Sequence, residues 1–247
     1  MKPFSSLATP LLAVVLFCFA SCGDQDNDTS SDTTNADSAA SATPATATPT
    51  STIVTTPQHM MVVRHKVADF EKWMTSYDAH DSLRLANGLH SYVIGRSVKD
   101  PNTVQVSVKV DDINKGKSFA KDPALKQAMQ KGGVVGAPII KFAVMTWQDT
   151  AQINSDIRSR ATFTVKDWAR WQHAFDSSRQ SGYDNGLVVR AYGHEADDDH
   201  KVIVVTAVID SAKAYAYWKS DMLKQRQAIS GVSGPTDRFI YRVAKRY

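Results

Sequence analysis

Three side chains able to do chemistry stand within one helical turn of each other: His80, Asp81 and Arg84. An imidazole, a carboxylate and a guanidinium at this spacing are expected either to form a polar pocket mouth or to protrude beyond the sheet into water, with Asp81 and Arg84 placed to pair across the turn. A second group, His90, Tyr92 and Arg96, occupies alternate positions of residues 89–97, a run that reads as a strand, so the pleat turns all three to one face beside Ile94. Arg190 and Tyr192 hold comparable places in a later run, with Val188 and His194 on the same face. A face carrying cations, phenols and imidazoles, and almost no carboxylates, suits a small anionic or aromatic ligand.

Other chemistries find less support. No GxSxG stretch is present, and the two cysteines, Cys18 and Cys22, lie near the start of the chain. The stretch HEADDDHK (194–201) gathers two histidines and four carboxylates, which suit a hard or borderline cation. It fills a hairpin turn, however, where polar residues are commonplace, and no metal site is assigned. GGVVGAP and SGVSGPT lack the full GxxxxGK[ST] pattern of a phosphate cradle and read as helix stops. No cofactor site emerges.

The elements that must position these residues occur twice. DFEKWMTSYDAHDSLRLANGL (69–89) is echoed by DWARWQHAFDSSRQSGYDNGL (167–187), and at this offset of 98 the match runs without a gap from Val67 against Val165 to Trp147 against Lys245. An ungapped register of that length is the signature of duplication. Each copy reads as a strand over 59–66, a helix capped by Asp69 and stopped at Asn87-Gly88, a hairpin over 89–97 and 103–111, a helical stretch from Asp112 broken at Asp122-Pro123, and a last strand over 139–147. That order is the split βαβ pattern of a ferredoxin-like unit, so the chain is α+β.

On the first helix, Phe70, Trp73, Met74 and Tyr77 share one side, continued by Asp81 and Arg84 with His80 at the margin and Leu83 turned away. The second copy has Trp168, Trp171 and Phe175, then Ser178, Arg179 and Gly182. Because Ser178 and Gly182 replace His80 and Arg84, the pocket mouth is expected once, in the first copy. Arg179 matches Asp81, so a two-fold arrangement would let those opposite charges meet. On the strands, Val104, Val106, Val108 and Val110 oppose Gln105, Ser107 and Lys109, while Arg64, Lys141, Arg158, Arg160, Arg238 and Arg242 fall inside strand runs. The apolar faces are expected to pack on helices and to leave a polar, cationic face between the sheets.

A ferredoxin-like unit with a long first helix, present twice, resembles the dimeric α/β-barrel superfamily, which includes the antibiotic biosynthesis monooxygenases and related binding proteins. The resemblance implies two sheets face to face with helices outside, and a pseudo-dimer within one chain. Extended to activity, it implies cofactor-independent oxidation of an aromatic substrate, with Trp73, His90 and Tyr92 as lining groups.

The first 57 residues read differently. MKPFSSLATPLLAVVLFCFASC has a lysine, an apolar run from Leu11 to Ala20 and small residues before Cys22, the layout of an export signal too short for a comfortable span. Phe19-Ala20-Ser21-Cys22 resembles a bacterial lipobox, which implies cleavage before Cys22 and lipid on that residue. Gly23 after the cysteine then implies the outer membrane, with the face left open. Residues 23–57 are Ser, Thr, Ala, Asp and Pro with hardly an apolar side chain, the composition of a disordered tether. Of 29 Lys and Arg and 25 Asp and Glu, the first 57 residues hold one lysine and five aspartates, leaving 28 against 20 in the body.

The expected organisation is a signal (1–22), a tether (23–57) and repeats over 58–150 and 151–247 that form an intramolecular dimeric α/β barrel. The favoured function is a membrane-anchored, non-catalytic module binding a small anionic or aromatic molecule or a protein partner. A cofactor-independent monooxygenase-like enzyme and a structural cell-surface module are the alternatives. Basic groups that alternate into a sheet face of an exported chain argue against nucleic acid.

Overall fold

A computed structural model of the chain describes residues 51–247. The export signal, Cys22 and most of the expected tether lie outside the described residues. The first repeat comprises β2 (Gln58–Val67), α1 (Phe70–Ala79), α2 (Asp81–Ala86), β3 (Leu89–Ser97), β4 (Thr103–Val110), α3 (Ile113–Phe119), α4 (Pro123–Lys131) and β5 (Val134–Asp149). It is preceded by a short strand, β1 (Ile53–Val54), which pairs with Asp149 and Gln148 of β5, so the end of the expected tether is ordered against the sheet. The second repeat follows the same order: β6 (Ile157–Val165), α5 (Trp168–Asp176), α6 (Arg179–Asp184), β7 (Leu187–Glu195), β8 (Asp198–Val208), α7 (Ser211–Lys219), α8 (Asp221–Ile229) and β9 (Val232–Arg246). No described helix is long and apolar enough to cross a membrane.

Local chemistry sets the boundaries. Asp69 and Asp167 cap α1 and α5 by accepting from the amides of Lys72 and Arg170, and Asp112 and Asp210 do the same for α3 and α7. Gly88 and Gly186 follow the helices at φ 68° and 76°, conformations that favour glycine. α1 and α2 are not one helix. The chain breaks at His80 (φ −100°, ψ 20°), and Leu83, which a continuous helix would turn outward, packs instead against the first repeat's core.

The strands run in the order β5-β2-β4-β3-β9-β6-β8-β7, and β7 pairs back onto β5, so eight antiparallel strands close into a barrel with β1 added outside. Two seams join the repeats, β3 with β9 and β5 with β7, and they obey the 98-residue offset pair by pair. Gly95 faces Val243 where Gly193 faces Met145, and Val93 faces Arg246 where Ala191 faces Gln148. The last strands are longer than the expected 139–147, because each must pair with a strand of its own repeat and with one across the seam.

The outer face of the barrel carries the helices. Val104, Val106, Val108 and Val110 alternate onto it and pack with Phe70, Trp73 and Phe119. The inner face departs from a uniformly cationic surface: Met60, Ala143, Met145 and Ile203 form an apolar cluster there. Simple alternation also fails along β3 and β7. Register shifts between Ser91 and Val93, and between Val189 and Ala191, mark equivalent bulges at Tyr92 and Arg190. A bulge sets two residues against one and reverses the parity beyond it. Leu89, Ile94 and Arg96 therefore share the outer face, whereas Tyr92 and Val93 line the interior.

Candidate functional site

Each repeat has a cavity between its helices and the outer face of its sheet, and equivalent positions build both. In the first repeat the cavity is about 70 Å³ and is lined by His65, Trp73, Tyr77, His80, Leu83 and Arg84 among others. Arg84 occupies most of the room. It is buried, stacks 3.7 Å from the Tyr77 ring centroid, donates to Ser91 Oγ (3.1 Å) and the Tyr77 carbonyl (2.7 Å), and pairs with Asp81 at 3.0 Å. Asp81 also accepts from Ser91 Oγ at 3.3 Å, and His80 Nδ1 lies 2.7 Å from the Ser76 carbonyl. His80, Asp81 and Arg84 thus come together, but as a network in which the guanidinium is already hydrogen-bonded through all three nitrogens and stacked on Tyr77. Below them His65 lies 5.4 Å from the Trp73 ring with both ring nitrogens buried and unpartnered, and burial pulls its pKa down to about 4.

The second repeat's cavity is about 310 Å³, within the range of small-molecule pockets. Its size follows from four substitutions at the 98-residue offset: Ser159 stands where the first repeat has Met61, Ala161 for Val63, Gly182 for Arg84 and Ser178 for His80. Ser159 and Ala161 take volume from the sheet side and Ser178 and Gly182 from the helical side, and Ala161, Ser178 and Gly182 line the cavity. The floor and sides are apolar and aromatic, with Phe163, Trp171, Phe175, Val204 and Trp218.

Three arginines edge this space. Arg179 pairs with Asp176 and lies 3.9 Å over the Trp147 ring. Arg226, in the place of Ala128, donates to Tyr217 Oη (3.0 Å) and the Ser178 carbonyl (2.6 Å). Arg238, in the place of Ile140, donates to Ser159 Oγ (2.9 Å) and lies 4.4 Å over the Trp218 ring, and burial lowers its pKa to about 10, so it stays charged at neutral pH. Among the described residues neither Arg226 nor Arg238 has a carboxylate within ion-pair distance.

The larger cavity therefore lies in the repeat opposite to the expected one. The remaining sequence-selected residues are dispersed. His90 is exposed, with Nε2 3.1 Å from Asp111. Arg96 is on the outer face, 3.9 Å over the Phe70 ring, and donates to the Pro101 carbonyl. Tyr92 points into the barrel, 5.1 Å from Lys109 Nζ. Arg190 pairs with Asp149 at 2.9 Å. Tyr192 is buried among Trp147, Trp168, Trp171 and Phe175, and its hydroxyl donates to Asp176 at 2.9 Å. Asp81 and Arg179 do not meet, because each is paired within its own repeat. At the start of β8, Asp198, Asp199 and His200 converge and are all exposed, with His200 Nδ1 3.0 Å from Asp199.

Sequence reasoning passed over Ser159, Ala161 and Arg226; it named Gly182 only as the residue in place of Arg84, and Arg238 only as a strand cation. The comparison of the two copies held the signal, since the large-to-small exchanges fall at positions that line the first repeat's cavity: Met61 and Val63 in the core, Arg84 buried and His80 half-buried. It became readable once those positions were known to enclose one cavity.

No protein-family model and no curated protein matches the chain. Among solved structures it is similar to a candidate monooxygenase from Fusobacterium nucleatum, at 13% identity over 76% of this chain and 93% of that one, TM-score 0.51. It is similar to an anthrone oxidase-like protein at 12% identity over 79% and 95%, TM-score 0.54. A candidate chlorite dismutase is similar at 13% identity over 77% and 96%, TM-score 0.52. The strand order, the two seams and these likenesses agree: the chain has the dimeric α/β-barrel fold, with both ferredoxin-like halves supplied by one polypeptide.

Proposed function

We propose that the chain is a binding protein for an amphiphilic aromatic anion, held in the cavity of the second repeat. One observation carries the reading: Arg226 and Arg238, without carboxylate partners, edge a cavity of about 310 Å³ whose other walls are aromatic and aliphatic. A flat ring would be buried against Trp171, Phe175 and Trp218, and its acidic end would meet a guanidinium. Among the described residues the lining offers no imidazole, carboxylate or thiol to act as base or nucleophile, which favours retention over turnover.

Titration with 1-naphthoate, followed by quenching of tryptophan fluorescence, tests this directly because Trp171 and Trp218 line the cavity. Saturable quenching is expected in the native chain and its loss in Gly182→Arg, which restores the side chain that fills the first repeat. Equal quenching in the two proteins would refute the assignment.

The names borne by similar folds, monooxygenase and anthrone oxidase-like, favour a second reading in which the same cavity turns over an aromatic substrate with dioxygen. Oxygen consumption with phenolic ligands, absent in Gly182→Arg, would select it.

We further propose that lipid on Cys22 anchors the chain to the cell envelope, at the outer membrane, as the lipobox resemblance implies. Cys22→Ser is expected to move the protein from the membrane fraction to the soluble fraction. Unchanged fractionation would contradict the anchor.

A further inference from the structure

The interior of the barrel contains a third cavity, of about 90 Å³, separate from both helix-covered pockets. Its walls break the two-fold symmetry that the seams keep. In the ring of strands, β8, β7, β5 and β2 are neighbours, and so are β4, β3, β9 and β6. The offset of 98 carries one arc onto the other. On the first arc stand Met60, Val62, Ala143, Ile203 and Val205, and at the equivalent positions of the second stand Arg158, Arg160, Tyr241, Gln105 and Ser107. Every lining side chain that is charged or bears a hydroxyl lies on this second arc. With Gln148 as the one polar side chain on the first arc, the cavity is amphipathic across its width, mainly apolar on one side and cationic on the other.

Two groups on the cationic side lack partners. Arg160 is more than nine-tenths buried and has no hydrogen bond or ion pair among the described residues. The carboxylates whose charge reaches it, Asp237 and Glu195, are paired with Arg64 at 3.7 Å and Lys141 at 3.3 Å. Gln105 Oε1 is buried with no partner either. A buried guanidinium without a counter-ion is costly and calls for an explanation. Arg158 turns its Nη1 to the carbonyls of Ser155 and Ile157 and, among the described residues, has no carboxylate within ion-pair distance. Arg158, Arg160 and Arg246 also draw down the pKa of the buried Tyr241 phenol, against the stronger upward push of burial, which places the three cations around it. Arg246 lines the cavity and is itself exposed, so the space meets water at that end.

We propose that the barrel interior binds a short-chain carboxylate, its anionic end against Arg160 and Arg158 and its alkyl end against Val62, Ala143 and Ile203. A halide or a fully hydrated oxyanion leaves the apolar arc unmatched, and a neutral hydrocarbon leaves the guanidinium unmatched. Size sets the upper limit. An engineered cavity of about 150 Å³ accepts benzene, so this smaller one suits a chain of about two to four carbons.

The test is isothermal titration of the full chain, dialysed free of carboxylate buffers, with acetate, propionate and butyrate, and with sodium chloride and sodium sulfate as controls. One saturable site is expected for propionate or butyrate and none for the inorganic salts. Arg160→Met is expected to weaken binding by at least about tenfold while raising the melting temperature, because it removes an uncompensated buried charge; a purely structural arginine would lower it. Tyr241→Phe, which leaves the ring in place, is expected to weaken binding about threefold and gives a readout should the Met variant misfold. Gly182→Arg, which fills the other cavity, is expected to bind propionate as the native chain does, so failure here is distinguishable from failure of the aromatic site. The proposal is overturned if no carboxylate saturates, if chloride or sulfate binds equally well, or if both interior variants bind unchanged.

Discussion

His65 and its counterpart Phe163 show how one position takes opposite chemistry in two copies of a fold. Both pack on a tryptophan, His65 5.4 Å from Trp73 and Phe163 5.7 Å from Trp171. His65 has no partner for either ring nitrogen, and burial holds its pKa near 4 against an ordinary 6.5. The unfolded chain takes up a proton below about pH 6.5 while the folded chain resists until about pH 4, so stability is complete above the first value and falls as pH drops toward the second. The difference corresponds to about 3 kcal/mol. His65→Phe, a substitution already present in the other repeat, is expected to remove most of this acid sensitivity; denaturant melts at pH 7 and pH 4.5 would check it, and an unchanged pH dependence would show that another group is responsible. Residue identity made some of this scale legible, because Asp69, Gly88 and the Asp81–Arg84 spacing act locally. The fate of Arg84 was not legible. Whether a guanidinium opens a pocket or fills it depends on Tyr77 and Ser91 approaching from another element.

At the scale of elements, order could be read from caps and alternation, but the break at His80 and the full length of β5 and β9 could not, and facing could not be read past the bulges. The sequence Ser91-Tyr92-Val93 looks like ordinary alternation, and only pairing with β4 reveals the extra residue. The same bulge at Arg190 moved Arg190 and Tyr192 to opposite fates, one to the seam strand's Asp149 and the other into an aromatic layer. The seams depend on glycine for closeness rather than for a left-handed turn. A Cβ at Gly193 would come within 2.0 Å of the Val144 carbonyl oxygen, and one at Gly95 within 2.1 Å of the Tyr241 ring. Gly193→Ala is therefore expected to cost more than about 2 kcal/mol and to lower hydrogen-exchange protection along β5 and β7. Gly136→Ala, at φ 74° with nothing within 4 Å, is expected to cost about 1 kcal/mol and to spare the seam. Equal losses in the two variants would mean that the seam tolerates the extra atom.

For the whole molecule, duplication was the most informative feature of the sequence, since an offset of 98 preserved through both seams makes a closed barrel from one chain. Symmetry is kept where strands must pair and lost where ligands would sit. The interior divides into mainly apolar and cationic arcs, and of the two helix-covered cavities one is narrowed by Arg84 and the other opened by Gly182, Ser178 and Ala161. The sequence comparison placed the divergence in the first helix and expected a polar site kept in the first copy and lost from the second, whereas the larger cavity is opened in the second copy by what its residues lack. Native mass spectrometry of the folded chain with 1-naphthoate addresses that asymmetry most directly. One ligand per monomer is expected, and none on Gly182→Arg. Two ligands per chain, or one that persists in Gly182→Arg, would contradict a single aromatic-anion site in the second repeat.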